Sequence, residues 1–271
     1  MKPASLSLLC CALSGLSSLA EVPGQATAEW ISASPTCEPG KPLVTGVRMV
    51  VAPDHHTYWI NPGESGMKTS VVWDLPAGWQ AGELEMPVPK RFKTGELSGF
   101  GYDGTVIYPV KLTPPADFTG PANLKGKLTW LACNDAHCIP GRAEISLQLQ
   151  TGVAVATEHS EVLRSAQGRV PVAAPGLELD VAEAGENLLL TLKVPANPAC
   201  DPAASEVFPV TPQVLDSAAE IQFTLKSVGI WTATVRKSEY FTPPLAGLRL
   251  VLAGKGTTPP LTVAWEKDKN D

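Results

Sequence analysis

The sequence predicts an all-β protein of two β-sandwich domains in tandem. Three features predict this: short runs of alternating apolar and polar residues, turn signals between successive runs, and the lack of a helical pattern between them that would build a βαβ sheet. The 271 residues are 44% apolar and 18% charged, which is ordinary for a globular chain and too apolar for a disordered one. The length allows two cores, and 23 Gly and 26 Pro supply many turns. A net charge of −6 with scattered Lys and Arg argues against nucleic acid or an anionic membrane surface as partner.

The chain opens with a signal-peptide pattern. Lys2 gives the positive start, residues 6–19 are apolar, and small residues at 18–20 and 26–28 offer cleavage after Ala20 or Ala28. No other run approaches the roughly 18 apolar residues of a membrane span, so the mature protein is expected to be exported and not itself membrane-spanning. Strands follow at 43–51, where Leu43, Thr45, Val47, Met49 and Val51 form one face, and at 57–60, 70–73, 105–112, 124–132 and 143–150. Asn61-Pro62-Gly63, Pro76-Ala77-Gly78, Asp103-Gly104 and Thr113-Pro114-Pro115 punctuate them. Residues 30–153 make the first domain. A connector over 154–171 has Val162, Leu163 and Ala166 spaced for a short helix. The second domain, 172–267, has strands at 177–181, 188–194, 221–225, 248–252 and 261–265, and Lys267 to Asp271 form a solvated tail.

Export removes Cys10 and Cys11 and leaves Cys37, Cys133, Cys138 and Cys200, an even set in an oxidising compartment. Leu124, Leu128 and Trp130 alternate into Cys133, and Ile145, Leu147 and Leu149 alternate out after Cys138. The two cysteines therefore sit at a β-hairpin tip. A bond closing so small a loop contributes about 2 kcal/mol through chain entropy, which is little for a staple and suits a bond that opens and closes. A protonated His137 would stabilise a neighbouring thiolate, whereas Asp135 would raise the thiol pKa. Spacing alone leaves a plain hairpin-tip staple and an exchanging pair both open.

The run His56-Thr57-Tyr58-Trp59-Ile60-Asn61-Pro62-Gly63-Glu64-Ser65-Gly66 resembles the H-x-Y-W-x-x-P-G-x-x-G signature of the N-terminal periplasmic domain of DsbD and ScsB-type thiol:disulfide reductases. Trp73, Leu75-Pro76, Pro87-Val88-Pro89-Lys90-Arg91-Phe92, Gly101-Tyr102-Asp103-Gly104 and Pro109-Val110 continue it in order. Trp130-Leu131-Ala132-Cys133 with Cys138-Ile139-Pro140 is similar to that domain's redox hairpin, and Val207-Phe208-Pro209 to a later segment of larger members. The resemblance implies an immunoglobulin-like fold in which Cys133 and Cys138 exchange, with Cys138 preferred as the attacking thiol because it follows His137. It implies periplasmic thioredoxin-like recipients and a membrane-embedded thiol reductant, which would act in trans because the chain ends after its β domains. It also implies an aromatic cap over the pair, matched here by residues 95–104 with Phe100 and Tyr102 as candidates and Leu97 as an outsider.

No cofactor and no metal is assigned. Cys133, His137 and Cys138 have the ligand types for zinc or cuprous copper, but three ligands on one short turn rarely close a site. A β-sandwich adaptor with a structural bond and a copper-handling module remain the rival readings. Cys37 and Cys200, each in a Pro-rich segment, are expected to form a structural disulfide joining the N-terminus to the second domain, worth about 5 kcal/mol on the loop-length relation.

Overall fold

The computed structural model describes residues 23–196, 200–254 and 259–267. The leader over residues 1–20 lies outside them. The alternative cleavage site after Ala28 falls inside the first strand, where Ala26, Thr27 and Ala28 pair with Val51, Val50 and Met49. That strand starts ahead of Trp30, because Ala26 already packs in the core.

The first domain contains β1 (Ala26–Ser32), β2 (Thr36–Cys37), β3 (Leu43–Val51), β4 (Thr57–Gly63), β5 (Ser70–Asp74), β6 (Gln80–Ala81), β7 (Lys90–Thr94), β8 (Leu97–Tyr102), β9 (Thr105–Thr113), β10 (Ala122–Cys133) and β11 (Cys138–Thr151). Two four-stranded sheets, β1-β3-β9-β6 and β2-β11-β10-β5, provide its two layers. Trp30, Val47, Met49, Tyr108 and Leu112 of the first sheet and Leu124, Leu128, Trp130 and Leu149 of the second belong to one buried cluster. The period-2 alternation of β10 and β3 puts these residues on the inner faces. A third sheet, β4-β8-β7, lies beside the sandwich.

After this domain comes α1 (Ser160–Gln167), which buries Leu163 and Ala166 against Ile31 and Ile107. The approach is close: a Cβ at Gly46 would lie 2.6 Å from Leu163.

The second domain comprises β12 (Val172–Ala173), β13 (Glu178–Ala184), β14 (Asn187–Lys193), β15 (Ser205–Pro209), β16 (Thr224–Ser227), β17 (Ile230–Arg236), β18 (Gly247–Gly254) and β19 (Leu261–Glu266). Its sheets are β12-β19-β18-β15 and β13-β14-β17-β16. Residues 221–223, expected as strand, are unpaired; Ile221 and Phe223 plug the core while the exposed edge strand β16 starts at Thr224. β15 ends on Pro209 and is an edge strand, where a missing N–H is tolerated.

At the junction of the domains, β15 and β18 bury residues on both of their faces. Val207, Leu250 and Leu252 face the second domain's core. The alternate residues Phe208 and Val251, at 0% and 1% exposed, join the first domain's core instead. Such double burial gives the near-continuous apolar run of residues 248–252 its physical reason. Asn61 Nδ2 donates to Pro209 O at 2.8 Å across the same junction.

Candidate redox site

The hairpin of β10 and β11 runs in unbroken register from Ala122↔Leu149 to Cys133↔Cys138. Asn134 builds the turn beyond it. Its Oδ1 accepts from the backbone N–H groups of Ala136 (2.9 Å) and His137 (3.0 Å), while its own N–H donates to His137 O at 3.0 Å. This side-chain mimicry of a turn is why Asn suits the first position after the strand.

At the tip Cys133 and Cys138 are joined by a disulfide with Cα atoms 4.0 Å apart. The two halves of the bond differ. Cys133 is 0% exposed, whereas Cys138 is exposed. Of the two, Cys138 is the one open to approach from solvent. Asp135 and His137 are exposed on the turn, with the His137 ring edge-on to His55 at 5.9 Å between centroids. His55 Nδ1 lies 3.0 Å from Pro53 O, the geometry of a donated bond, and its Nε2 faces Asn134 Nδ2 at 3.2 Å. Among the described residues no group of three or more His, Cys, Asp or Glu side chains is gathered as for a metal ion.

His56 links the hairpin to the third sheet. Its N–H donates to Cys133 O at 2.9 Å and its O accepts from Cys133 N at 3.0 Å. Its ring stacks on Phe92 at 3.6 Å and its Nε2 is 3.0 Å from Thr94 Oγ1. Burial pushes the imidazole down to about 4, outweighing the opposite pull of Asp135, so the ring is neutral at neutral pH. Phe92 fits because β8 is glycine-rich: a Cβ at Gly99 or Gly101 would come within 2.7 or 2.9 Å of its ring.

The expected cap needs correction. Residues 97–102 are strand β8, not a loop, and their aromatic side chains point inward. Phe100 is 0% exposed against Trp59 and Phe208, and Tyr102 packs on Tyr108 and donates its hydroxyl to Pro87 O at 2.7 Å. What approaches the hairpin tip is the two-residue turn between β7 and β8. Gly95, at φ 59°, suits its first position. Gly95 N is at the long distance of 3.5 Å from Asp135 Oδ1, and Leu97 at the turn's end is 44% exposed. Phe92, Thr94 and Asn134 are not picked out as site residues in the sequence; the Gly-x-Gly in a strand was the available sign that something packs closely there.

The Cys37–Cys200 bond is also corrected. Both are free buried thiols, Cys37 in the first domain's core and Cys200 in the second's. Cys37 lies in β2, pinned parallel to β11 at Thr151, so it is committed to its own sheet. Burial raises both thiols, which makes them poor nucleophiles in the folded chain.

Residues 27–150 match the family described as the N-terminal domain of thiol:disulfide interchange protein DsbD. In structure the chain is similar to the N-terminal periplasmic domain of ScsB from Proteus mirabilis, with a TM-score of 0.62 and 22% identity over 89% of this chain and 92% of that one. An endo-fucoidan hydrolase of glycoside hydrolase family 107 aligns over 89% of this chain and 34% of its own at 14% identity, but its TM-score of 0.23 carries no weight. No curated protein matches in sequence.

Proposed function

We propose, from the premise that residues 27–150 are a domain of the DsbD N-terminal family, that this chain is an exported thiol:disulfide interchange protein acting in the periplasm. Its Cys133/Cys138 pair passes reducing equivalents to thioredoxin-like partners. The observation that carries this reading is the tip disulfide with one buried and one exposed cysteine, at the end of a hairpin whose register runs unbroken up to the bond.

In the reduced state the Cys138 thiolate attacks one sulfur of the partner's disulfide. A mixed disulfide forms and one partner thiolate leaves. Cys133 then attacks Cys138 Sγ, re-forming the intramolecular bond and expelling the second partner thiolate. Two electrons and two protons pass from the pair to the partner. The pair is recharged by the reverse exchange with a dithiol reductant, for which a membrane-embedded thiol donor acting in trans is the matching class. The fold contributes by fixing which sulfur is met first. His137 and Asp135 lie exposed on the turn beside Cys138, which supports assigning them the tuning of its reactivity.

Cys133→Ala expressed in the native periplasm and quenched with acid tests the reading. The expected result is a mixed disulfide through Cys138 with a thioredoxin-like protein. Recovery of Cys138 solely as free thiol, with the variant folded, would overturn it.

A further inference from the structure

The second domain has a single cysteine, Cys200, and so no bond of its own to exchange, yet it is fastened to β7, in the three-stranded sheet beside the redox hairpin. β7 is five residues long and its two faces do different things. On one face Phe92 and Thr94 hold His56, which is hydrogen-bonded on both sides to Cys133. On the other face Arg91 reaches into the second domain. Its guanidinium donates to Val207 O at 2.8 Å, to Ser217 O at 3.3 Å and, at the limit, to Ala219 O at 3.5 Å. It lies over the rings of Phe100 and Phe208, at 5.0 and 5.3 Å, and 3.6 Å from a Glu206 carboxylate oxygen. A planar fork with five donors can serve several carbonyls while lying over two rings, which a lysine ammonium cannot.

We propose that Arg91 is a positioning residue: through it the second domain fixes β7 and the Gly95–Glu96 turn against the redox hairpin, and so sets how fast Cys138 reacts. The inference rests on the exchange reading for its purpose, but not for its geometry. Alternation along one strand makes the coupling short. Any shift of Arg91 moves the backbone that carries Phe92 and Thr94 on the opposite side. The turn that follows is the segment lying against Asp135, within the same tip as Cys138. The partner sheet of the second domain supplies a packed base, since Val207, Leu250 and Leu252 are buried in its own core while Phe208 and Val251 are buried against the first domain.

The test uses the whole exported chain in its reduced form, with iodoacetamide as probe and peptide mass spectrometry reading modification at Cys138. Arg91→Met should speed alkylation by about tenfold, the scale expected when hydrogen bonds from a charged donor are lost. Arg91→Lys should fall between the two, and Lys93→Met, on the same strand, should keep the parental rate. The pH profile should move in height and not in midpoint, because placement changes and thiolate character does not. A folded Arg91→Met protein with the parental rate would overturn the proposal, as would equal acceleration by Lys93→Met. Should Arg91→Met fail to fold, Phe208→Leu keeps the carbonyl acceptors and removes the stacked ring. It should give a smaller acceleration, and an unchanged rate there also counts against the idea. The probe needs no protein partner, so failure of the parent to exchange with thioredoxin-like proteins sinks the functional reading without touching this measurement.

Discussion

The two sandwiches are built on the same plan, four strands facing four, and differ in what is added at their ends. In the second domain the β13–β14 hairpin closes at Gly185 and Glu186 in a plain turn. In the first, the β10–β11 hairpin closes on a disulfide, an Asn-built turn and an extra three-stranded sheet. The sandwich is thus a common support, and the chemistry belongs to a few residues at one tip and the sheet that holds them. The second domain lends Phe208 and Val251 to its neighbour's core and three carbonyls to Arg91.

The largest expected effect separates the domains by their cysteines. Cys138→Ala should abolish exchange with a thioredoxin-like partner in stopped-flow fluorescence, while Cys200→Ser in the second domain should leave the rate unchanged. Exchange surviving in Cys138→Ala would break the contrast. Next comes the shared core. Phe208→Ala should cost about 3–5 kcal/mol in denaturant unfolding, and near-ultraviolet signals from Trp59, edge-on to it with ring centroids 6.2 Å apart, should change with it. If only second-domain signals moved, the domains would be independent bodies.

A third test uses pH. His56 is held at about 4, below its ordinary value near 6.5. Between these values the unfolded chain binds the proton and the folded chain does not. The stability contribution is complete above about 6.5 and drains away as pH falls toward 4, by up to about 3 kcal/mol. The second domain has no histidine. His56→Gln should therefore flatten the acid slope of the whole chain, and an unchanged slope would mean that carboxylates alone set it. The smallest effect concerns the bond itself. Reducing Cys133–Cys138 should lower stability by no more than about 2 kcal/mol, with cooperative thermal unfolding retained. Loss of that cooperativity would make the bond a staple and the two tips alike in kind.

The hairpin and its cysteines were legible because β10 alternates without a break through Leu124, Leu128 and Trp130 up to Cys133. The ordered motif run from His56 to Pro140 gave the family of the same region. Of the third sheet β4 was legible, as the strand at 57–60, but β7 and β8 were not. Lys90, Arg91 and Lys93 interrupt any apolar period, and Gly99 and Gly101 read as breakers although they make room for Phe92. The role of Phe208 was hidden for another reason: a strand buried on both faces shows an apolar run but not which body covers each side. The pairing of Cys37 with Cys200 was counted from composition, and counting says nothing of distance. Each thiol is packed where its own domain needs a small apolar group.

Those two thiols have a consequence for how the chain ages under stress. While folded, they are sheltered and weakly acidic. Once either domain melts, a fresh nucleophile is released into a molecule that already exposes one half of a disulfide at Cys138. Reshuffling then competes with refolding. Heating the oxidised chain at neutral pH should give poor recovery and covalent ladders on non-reducing gels, which Cys37→Ser with Cys200→Ser should largely prevent. Tight cores here guard covalent fidelity as well as shape.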